Sequence, residues 1–310
     1  MTAVVEFQNV TKRFGKHKAL DEVSYQAESG EVVALLGENG AGKTTGLKIL
    51  LGLLRPDAGS TRVMGLDSQQ QGAEIRRRVG YIPDRPALYE WMTVAEIGWF
   101  AAGFYPLGFQ PRYQHLVQRF GLSDDQTIKS LSKGMQGKVS LALAMAHEPE
   151  LLVLDEPTSG LDPLIRREFL ECMIDVSSAG RTVLLSSHQM SEVERVADRI
   201  AIMRRGQLVL FESLETLKTQ VQEVIVTLDA VETAPPEIPA GATLLGAQRQ
   251  DRQWQLLIRD LDDAGRFALS AEPAHVDVEI RTPSLEQIFI VCMKTSDGVE
   301  LPAITPLINQ

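Results

Sequence analysis

Residues 37–44 read Gly-Glu-Asn-Gly-Ala-Gly-Lys-Thr, a spacing of glycines, lysine and hydroxyl suited to gripping a chain of phosphates. Glycines let the backbone curl so that successive N–H groups point inward at an anion. In the pattern G-x-x-x-x-G-K-[ST] the lysine, here Lys43, reaches the β- and γ-phosphates, and the hydroxyl, here Thr44, is placed to ligate Mg²⁺. Gly37, Glu38, Asn39, Gly40, Ala41, Gly42, Lys43, Thr44 and Thr45 together make the expected cradle. Three further segments carry chemistry. Leu131–Gln136 (Leu-Ser-Lys-Gly-Met-Gln) opens a helical stretch through Ala146. Leu151–Leu154 is an apolar run leading into Asp155-Glu156-Pro157-Thr158-Ser159-Gly160-Leu161-Asp162. Thr182–Ser187 is a strand candidate that ends at His188.

Together, and in this order, the segments resemble the ATP-binding subunit of an ABC transporter over about residues 4–215. In that family's terms the loop at Gly37 is Walker A and Leu131–Met135 is the signature. Asp155-Glu156 closes Walker B, Ser159–Asp162 is the D-loop and His188 is the switch histidine. The resemblance implies ATP and Mg²⁺ as ligands and Glu156, His188 and Lys43 as the catalytic group. Glu156 would polarise the attacking water as general base, and His188 would hydrogen-bond the γ-phosphate. Asp155 would hold the metal with Thr44, through water, because Mg²⁺ keeps much of its hydration. Phe14 falls where the family places an aromatic that stacks on adenine. Ser132 and Gly134 would complete the site of a second ATP-binding subunit, in a homodimer or heterodimer. A helix-start anion site nearly 90 residues from Lys43 needs that explanation.

Three positions depart from the family's pattern, one of them Met135, which replaces the residue usual after the second glycine of the signature. Lys133 replaces the first glycine of the signature and adds a positive charge near the triphosphate. Asp84, in Gly80-Tyr81-Ile82-Pro83-Asp84-Arg85, stands where glutamine is usual. A shorter, charged side chain there either ligates Mg²⁺, directly or through water, or pairs with Arg85 or Arg77 and leaves the metal alone. The departures at Lys133 and Asp84 and the small C-terminal region resemble the bacterial export branch.

The elements that must position these groups follow from pattern. Glu31–Leu36 reads as a buried strand, and Lys43–Leu54 as a helix whose positive end faces the phosphates. Val4–Val33 alternates apolar and polar residues, with turns at Phe14-Gly15-Lys16 and Ser29-Gly30, so an antiparallel β layer is expected. Gly37, Asp155 and His188 all follow strands, where open parallel sheets bind ligands. Met92–Met145 is mostly helical, with Pro106 and Pro111 breaking it. The resemblance makes it the subdomain that meets the membrane partner. Trp99, Phe100, Phe104 and Tyr105 belong either to its core or to a groove for a permease helix. The fold class expected is therefore α/β: a P-loop NTPase core with a mainly parallel sheet, an antiparallel β layer and a helical subdomain, plus a small C-terminal α+β domain. Residues 1–220 form the ATP-binding domain, 221–296 the small domain and 297–310 a loose tail. In the small domain Val221–Asp229, Gln253–Arg259 and Val276–Arg281 read as strands. Ser284 with Gln287 makes a capping box for a helix presenting Leu285, Ile288, Phe289, Cys292 and Met293 on one face.

Composition narrows the function classes. Of 310 residues, 44% are hydrophobic and 23% charged, which describes a globular chain with ample core. The net charge of −10 is concentrated in residues 221–310, which carry 6 basic and 14 acidic residues, so that segment would repel nucleic-acid phosphates and anionic lipid. Cys172 and Cys292 fit no metal or redox spacing and read as buried thiols of a reducing cytosol. His147, before Pro149, reads as a helix-end cap and Arg76–Arg78 as a solvated face. The N-terminus shows no secretory pattern. The longest uncharged stretch, Ile97–Pro111, has 15 residues interrupted by Gly103, Pro106 and Gly108, against the roughly 20 a span needs. A separate membrane permease is the implied partner, with this chain cytoplasmic on the membrane's inner face. Soluble ABC-type ATPases that act on nucleic acid or the ribosome usually carry coiled coils, zinc cysteines or tandem nucleotide modules, none of which is seen. A low-turnover regulatory ATP-binding protein is the other alternative.

Overall fold

The computed structural model describes residues 3–105, 107–229 and 234–294, so the expected tail at 297–310 and Pro106 lie outside the described residues. The chain opens with the hairpin β1 (Ala3–Phe14) and β2 (His17–Glu28), then enters the core with β3 (Val32–Leu36). Next come α1 (Lys43–Leu50), β4 (Ala58–Val63), β5 (Leu66–Asp67), α2 (Gly72–Arg78) and β6 (Val79–Ile82). Three helices follow: α3 (Val94–Ala102), α4 (Phe109–Arg119) and α5 (Lys133–Met145). The core resumes with β7 (Leu151–Asp155), α6 (Pro163–Ser178), β8 (Thr182–Ser187), α7 (Met190–Val196), β9 (Arg199–Arg204), β10 (Gln207–Ser213) and α8 (Leu214–Thr219). The remainder is β11 (Val221–Leu228), β12 (Thr243–Gln250), β13 (Gln253–Arg259), α9 (Asp263–Ala271), β14 (His275–Arg281) and α10 (Leu285–Lys294).

The central sheet runs β10-β9-β3-β8-β7-β6, with β10 antiparallel on one edge and the other five strands parallel. Every residue of β3, β7 and β8 is buried, which is why β3 and the body of β7 read as apolar runs, while β8 buries Thr182, Ser186 and Ser187 at its ends. Alternate side chains serve two cores. Val33, Leu35, Val153 and Leu184 pack toward α1 and the antiparallel sheet β2-β1-β4-β5. Ala34, Leu36, Leu152, Leu154 and Leu185 pack toward the helices on the other face. This is the expected α/β arrangement, with an antiparallel layer and a helical segment between β6 and β7.

Local chemistry moved some boundaries. α1 ends at Leu50, four residues before the expected Leu54, because Gly52 turns to φ 65° and the Leu53 N–H folds back onto the Lys48 carbonyl at 2.9 Å. Pro111 does not break a helix: it is the third residue of α4, in the first turn, where a missing N–H costs no intrahelical bond.

The C-terminal sheet is antiparallel in the order β12-β13-β11-β14. Its strands β11, β13 and β14 lie where alternation placed them, whereas β12 and α9 carried too little pattern to read. The capping box of α10 is formed, with Ser284 N–H donating to Gln287 Oε1 at 2.7 Å and Gln287 N–H donating to Ser284 Oγ at 3.2 Å. Leu285, Ile288, Val291 and Cys292 enter the same core as Val193 and Ile200. Arg204 of β9 donates to the Cys292 carbonyl at 2.9 Å, tying α10 to the strand beside β3.

Candidate active site

A cavity of about 430 Å³ opens at the carboxyl ends of β3, β7 and β8. Residues 38–45 line its floor, from Glu38 through Asn39, Gly40, Ala41, Gly42, Lys43 and Thr44 to Thr45. Gly37 lies just behind, packed so closely on the Met203 carbonyl that a Cβ would come within 2.6 Å of it. Gly42 caps α1 at φ 105°, and a Cβ there would stand 2.3 Å from the Ala19 carbonyl. A glycine cap offers no side chain to the free N–H groups of the first turn, and that turn holds no acid. Its donors and the helix dipole therefore face the cavity unneutralised, the condition for binding an anion.

Lys43 is buried, with Nζ donating to the Gly37 carbonyl at 2.6 Å and to that of Glu38 at 3.4 Å. The ammonium also stands 3.3 Å from Glu156 Oε1. Glu156 is the junction of the site. Its second oxygen, Oε2, is 2.7 Å from His188 Nδ1. Its backbone has the left-handed value φ 51°, and its N–H is held by both the carbonyl and the hydroxyl of Ser186, each at 3.1 Å. Motif reading brought Lys43, Glu156 and His188 together, and the fold places all three around one cavity.

Asp155 sits beneath, fully buried. Ser186 Oγ donates to its Oδ1 at 2.6 Å, while Oδ2 is buried without a hydrogen-bond partner. An orphan carboxylate oxygen is costly unless a cation or water meets it. Thr44 and Asp84 line the adjoining cavity. Among the described residues no three His, Cys, Asp or Glu side chains cluster as a metal cage. The donors fit Mg²⁺ carried on phosphate oxygens, the way that ion is usually bound. Asp84 meets Arg85 only at 3.9 Å, and that guanidinium is 95% exposed, so solvent screens the pair. Arg77 pairs instead with Glu74 at 3.5 Å.

Phe14 is half exposed at the cavity rim, directly across the hairpin from His17, which also lines it. Ser159 joins them on the far wall. Ser159 opens the D-loop segment legible in the sequence, whereas His17 and Ser186 carry no role in that reading. Of those two, Ser186 had a signal, since it is the first serine of Ser-Ser-His. Ser132 and Gly134 lie apart from this cavity. Ser132 caps α5, its Oγ accepting from the Met135 N–H at 3.3 Å, and Gly134 packs on Ile165. His147 is not a helix cap; it stacks on Tyr105 with ring centroids 4.4 Å apart, and burial holds its pKa below the usual imidazole value. Arg76 and Arg78 are also engaged, by the Leu51 carbonyl and by Glu150. Both thiols are buried and free, and burial pushes Cys172 up to about 11 and Cys292 up to about 12.

Residues 20–159 match the ABC transporter family model. An uncharacterised ABC transporter ATP-binding protein of Nostoc sp. is 42% identical over 206 residues, 64% of this chain and 61% of that protein. A probable multidrug ABC transporter ATP-binding protein of Escherichia coli is 37% identical over 70% of this chain, which spans only 38% of that relative. A daunorubicin resistance ATP-binding protein of Streptomyces coeruleorubidus is 34% identical over 90% of this chain and 92% of its own length. Among solved structures, an ATP-binding subunit of an ABC transporter shares 33% identity, with TM-score 0.65, over 69% of this chain and 92% of its own.

Proposed function

The chain belongs to the ABC transporter ATP-binding proteins, and on that premise we propose that it hydrolyses ATP to drive export through a separate membrane permease. One observation carries the reading: the Glu156 carboxylate lies between Lys43, at 3.3 Å, and His188, at 2.7 Å, in a cavity floored by free helix-end donors. Lys43 and the loop amides bind the β- and γ-phosphates, replacing the carbonyl contacts Lys43 now makes. Adenine stacks on Phe14, beside Lys12, whose ammonium already lies 5.6 Å from the ring centroid. Glu156 takes a proton from water as its oxygen attacks the γ-phosphorus, and the bond to the β-phosphate oxygen breaks, leaving ADP and phosphate. His188 orients that water and contacts the γ-phosphate. Thr44, Asp155 and Asp84 would hold Mg²⁺, which would neutralise charge on the phosphates.

Ser132 and Gly134, remote from their own chain's cavity, complete the site of a second ATP-binding subunit. Closing two sites swings a conformational equilibrium, which takes ~5.5 kcal/mol of differential affinity to go from 1:99 to 99:1. The permease meets the helical subdomain where exposed aromatics adjoin, Trp91 packing on Tyr89, Tyr89 on Phe100 and Phe100 on Phe104, with Trp99 of α3 also exposed. No helix among the described residues is long and apolar enough to cross a membrane. Export is the direction favoured by the names of the multidrug and daunorubicin resistance relatives. The full chain should bind ATP and release phosphate only with Mg²⁺. Co-expressed with its permease, it should sediment with the membrane fraction. Magnesium-dependent ATP binding with no turnover, alone or with the permease, would leave a regulatory ATP-binding protein instead.

Asp84 gives a separate expectation. Two unit charges about 4 Å apart interact by ~4 kcal/mol at an effective dielectric of 20, a divalent ion doubles that, and exposure of the carboxylate screens much of it. Asp84→Asn and Asp84→Gln should each raise the Mg²⁺ concentration needed for half-maximal binding of a non-hydrolysable ATP analogue by about tenfold. Calorimetric Mg²⁺ titration reads this directly, and unchanged titrations in both variants remove Asp84 from the metal.

A further inference from the structure

A cation at the start of a helix faces the wrong end of the dipole. Lys133 is the first residue of α5, directly after the Ser132 cap, and the first turn contains no acid to offset it. Its partner comes from another segment: Nζ donates to the Ser159 carbonyl at 2.6 Å. Space for the ammonium exists because residue 160 is glycine at φ 70°, where a Cβ would lie 2.6 Å from Nζ. Ser159 in turn donates its N–H to the Glu156 carbonyl at 3.1 Å, and Leu161 closes a second turn on Thr158 at 3.1 Å. The chain of contacts thus runs from the signature helix through Ser159 to the carbonyl of Glu156, whose left-handed backbone opens that turn.

We propose that Lys133 is a positioning residue, a latch that fastens the signature helix to residues 156–161 of the same chain and so sets the carboxylate of Glu156. The proposal rests on the nucleotide reading given above. It assigns the lysine a purpose other than contacting phosphate: the ammonium is spent on a backbone carbonyl, so movement of α5 is transmitted to the base of the same subunit. A glycine at 133, usual in the resembling family, could make no such link.

Lys133 is exposed, so Lys133→Met should keep the fold while removing the donor. In the full chain without nucleotide, amide hydrogen exchange at Ser159 and Leu161 should quicken about threefold to tenfold, the scale of one charge-assisted bond at a solvated site. Steady-state kcat for ATP should fall by about the same factor while KM stays within about twofold. Lys133→Arg should restore most of both. Unchanged exchange in Lys133→Met, with ATP bound normally by the wild type, overturns the latch alone. So does a tenfold rise in KM at constant kcat, which would make Lys133 a phosphate contact. A wild-type chain that binds no ATP overturns the nucleotide reading and the latch's catalytic purpose with it.

Discussion

Glu156→Gln is expected to leave ATP bound and to slow its hydrolysis by about 100- to 10,000-fold, the range that one general base supplies. The amide keeps the size of the carboxylate and its place between Lys43 and His188, so the cavity keeps its shape. What is lost is the basicity that takes the proton from attacking water. Affinity for ATP should hold within a few fold or improve, since Lys43 is released from an ion pair at 3.3 Å and freed for phosphate. The backbone anchor survives as well, because the N–H of residue 156 is held by Ser186, which also binds Asp155. Single-turnover phosphate release beside equilibrium ATP binding separates the two effects. If turnover stayed near normal, Glu156 would be dismissed as the base. With hydrolysis blocked, the variant should also accumulate as an ATP-bound dimer, visible by sedimentation, in which Ser132 and Gly134 of each copy meet the other's nucleotide.

The parts of this machinery visible in the sequence share one property: they are local. The cradle at residues 37–45 is a contiguous run whose backbone does the binding, so its function follows from glycine spacing. Asp155 and His188 end strands that are buried on both faces, and such strands betray themselves as apolar runs. What escaped depends on contacts across the chain. Ser186 supports both Asp155 and Glu156 from the neighbouring strand, a pairing set by sheet order. Lys133, at the start of α5, finds Ser159 in a turn 26 residues on, and no periodicity connects the two. The early end of α1 hinges on Gly52 turning left-handed, and Pro111 reads as a breaker until its place in the first turn is known. α10 was legible as an amphipathic helix, yet its burial against α7 and β9 of the core was not, because an apolar stripe does not name its partner. β12 lacked a clear alternation, since Gly246 sits at a register shift where the strand slips past β13.

Lys43→Met carries the second large expectation. The ammonium is 6% exposed, and Met fills most of its volume without charge, so folding should be little affected. Binding is another matter. Without Nζ, the Gly37 and Glu38 carbonyls and the Glu156 carboxylate all present negative charge to an incoming triphosphate. Each charge-assisted bond to phosphate contributes about 1.5–3 kcal/mol, and two are lost, so ATP affinity should fall about 100- to 10,000-fold. Adenosine and AMP, held mainly through the base at Phe14, should lose far less. The ratio of ATP to AMP affinity is therefore the sharper measurement, because general damage to the cavity would weaken both together. A variant that kept its preference for the triphosphate would show that residues 37–44 do not cradle it, and Glu156 would lose the cation that orders its carboxylate for catalysis.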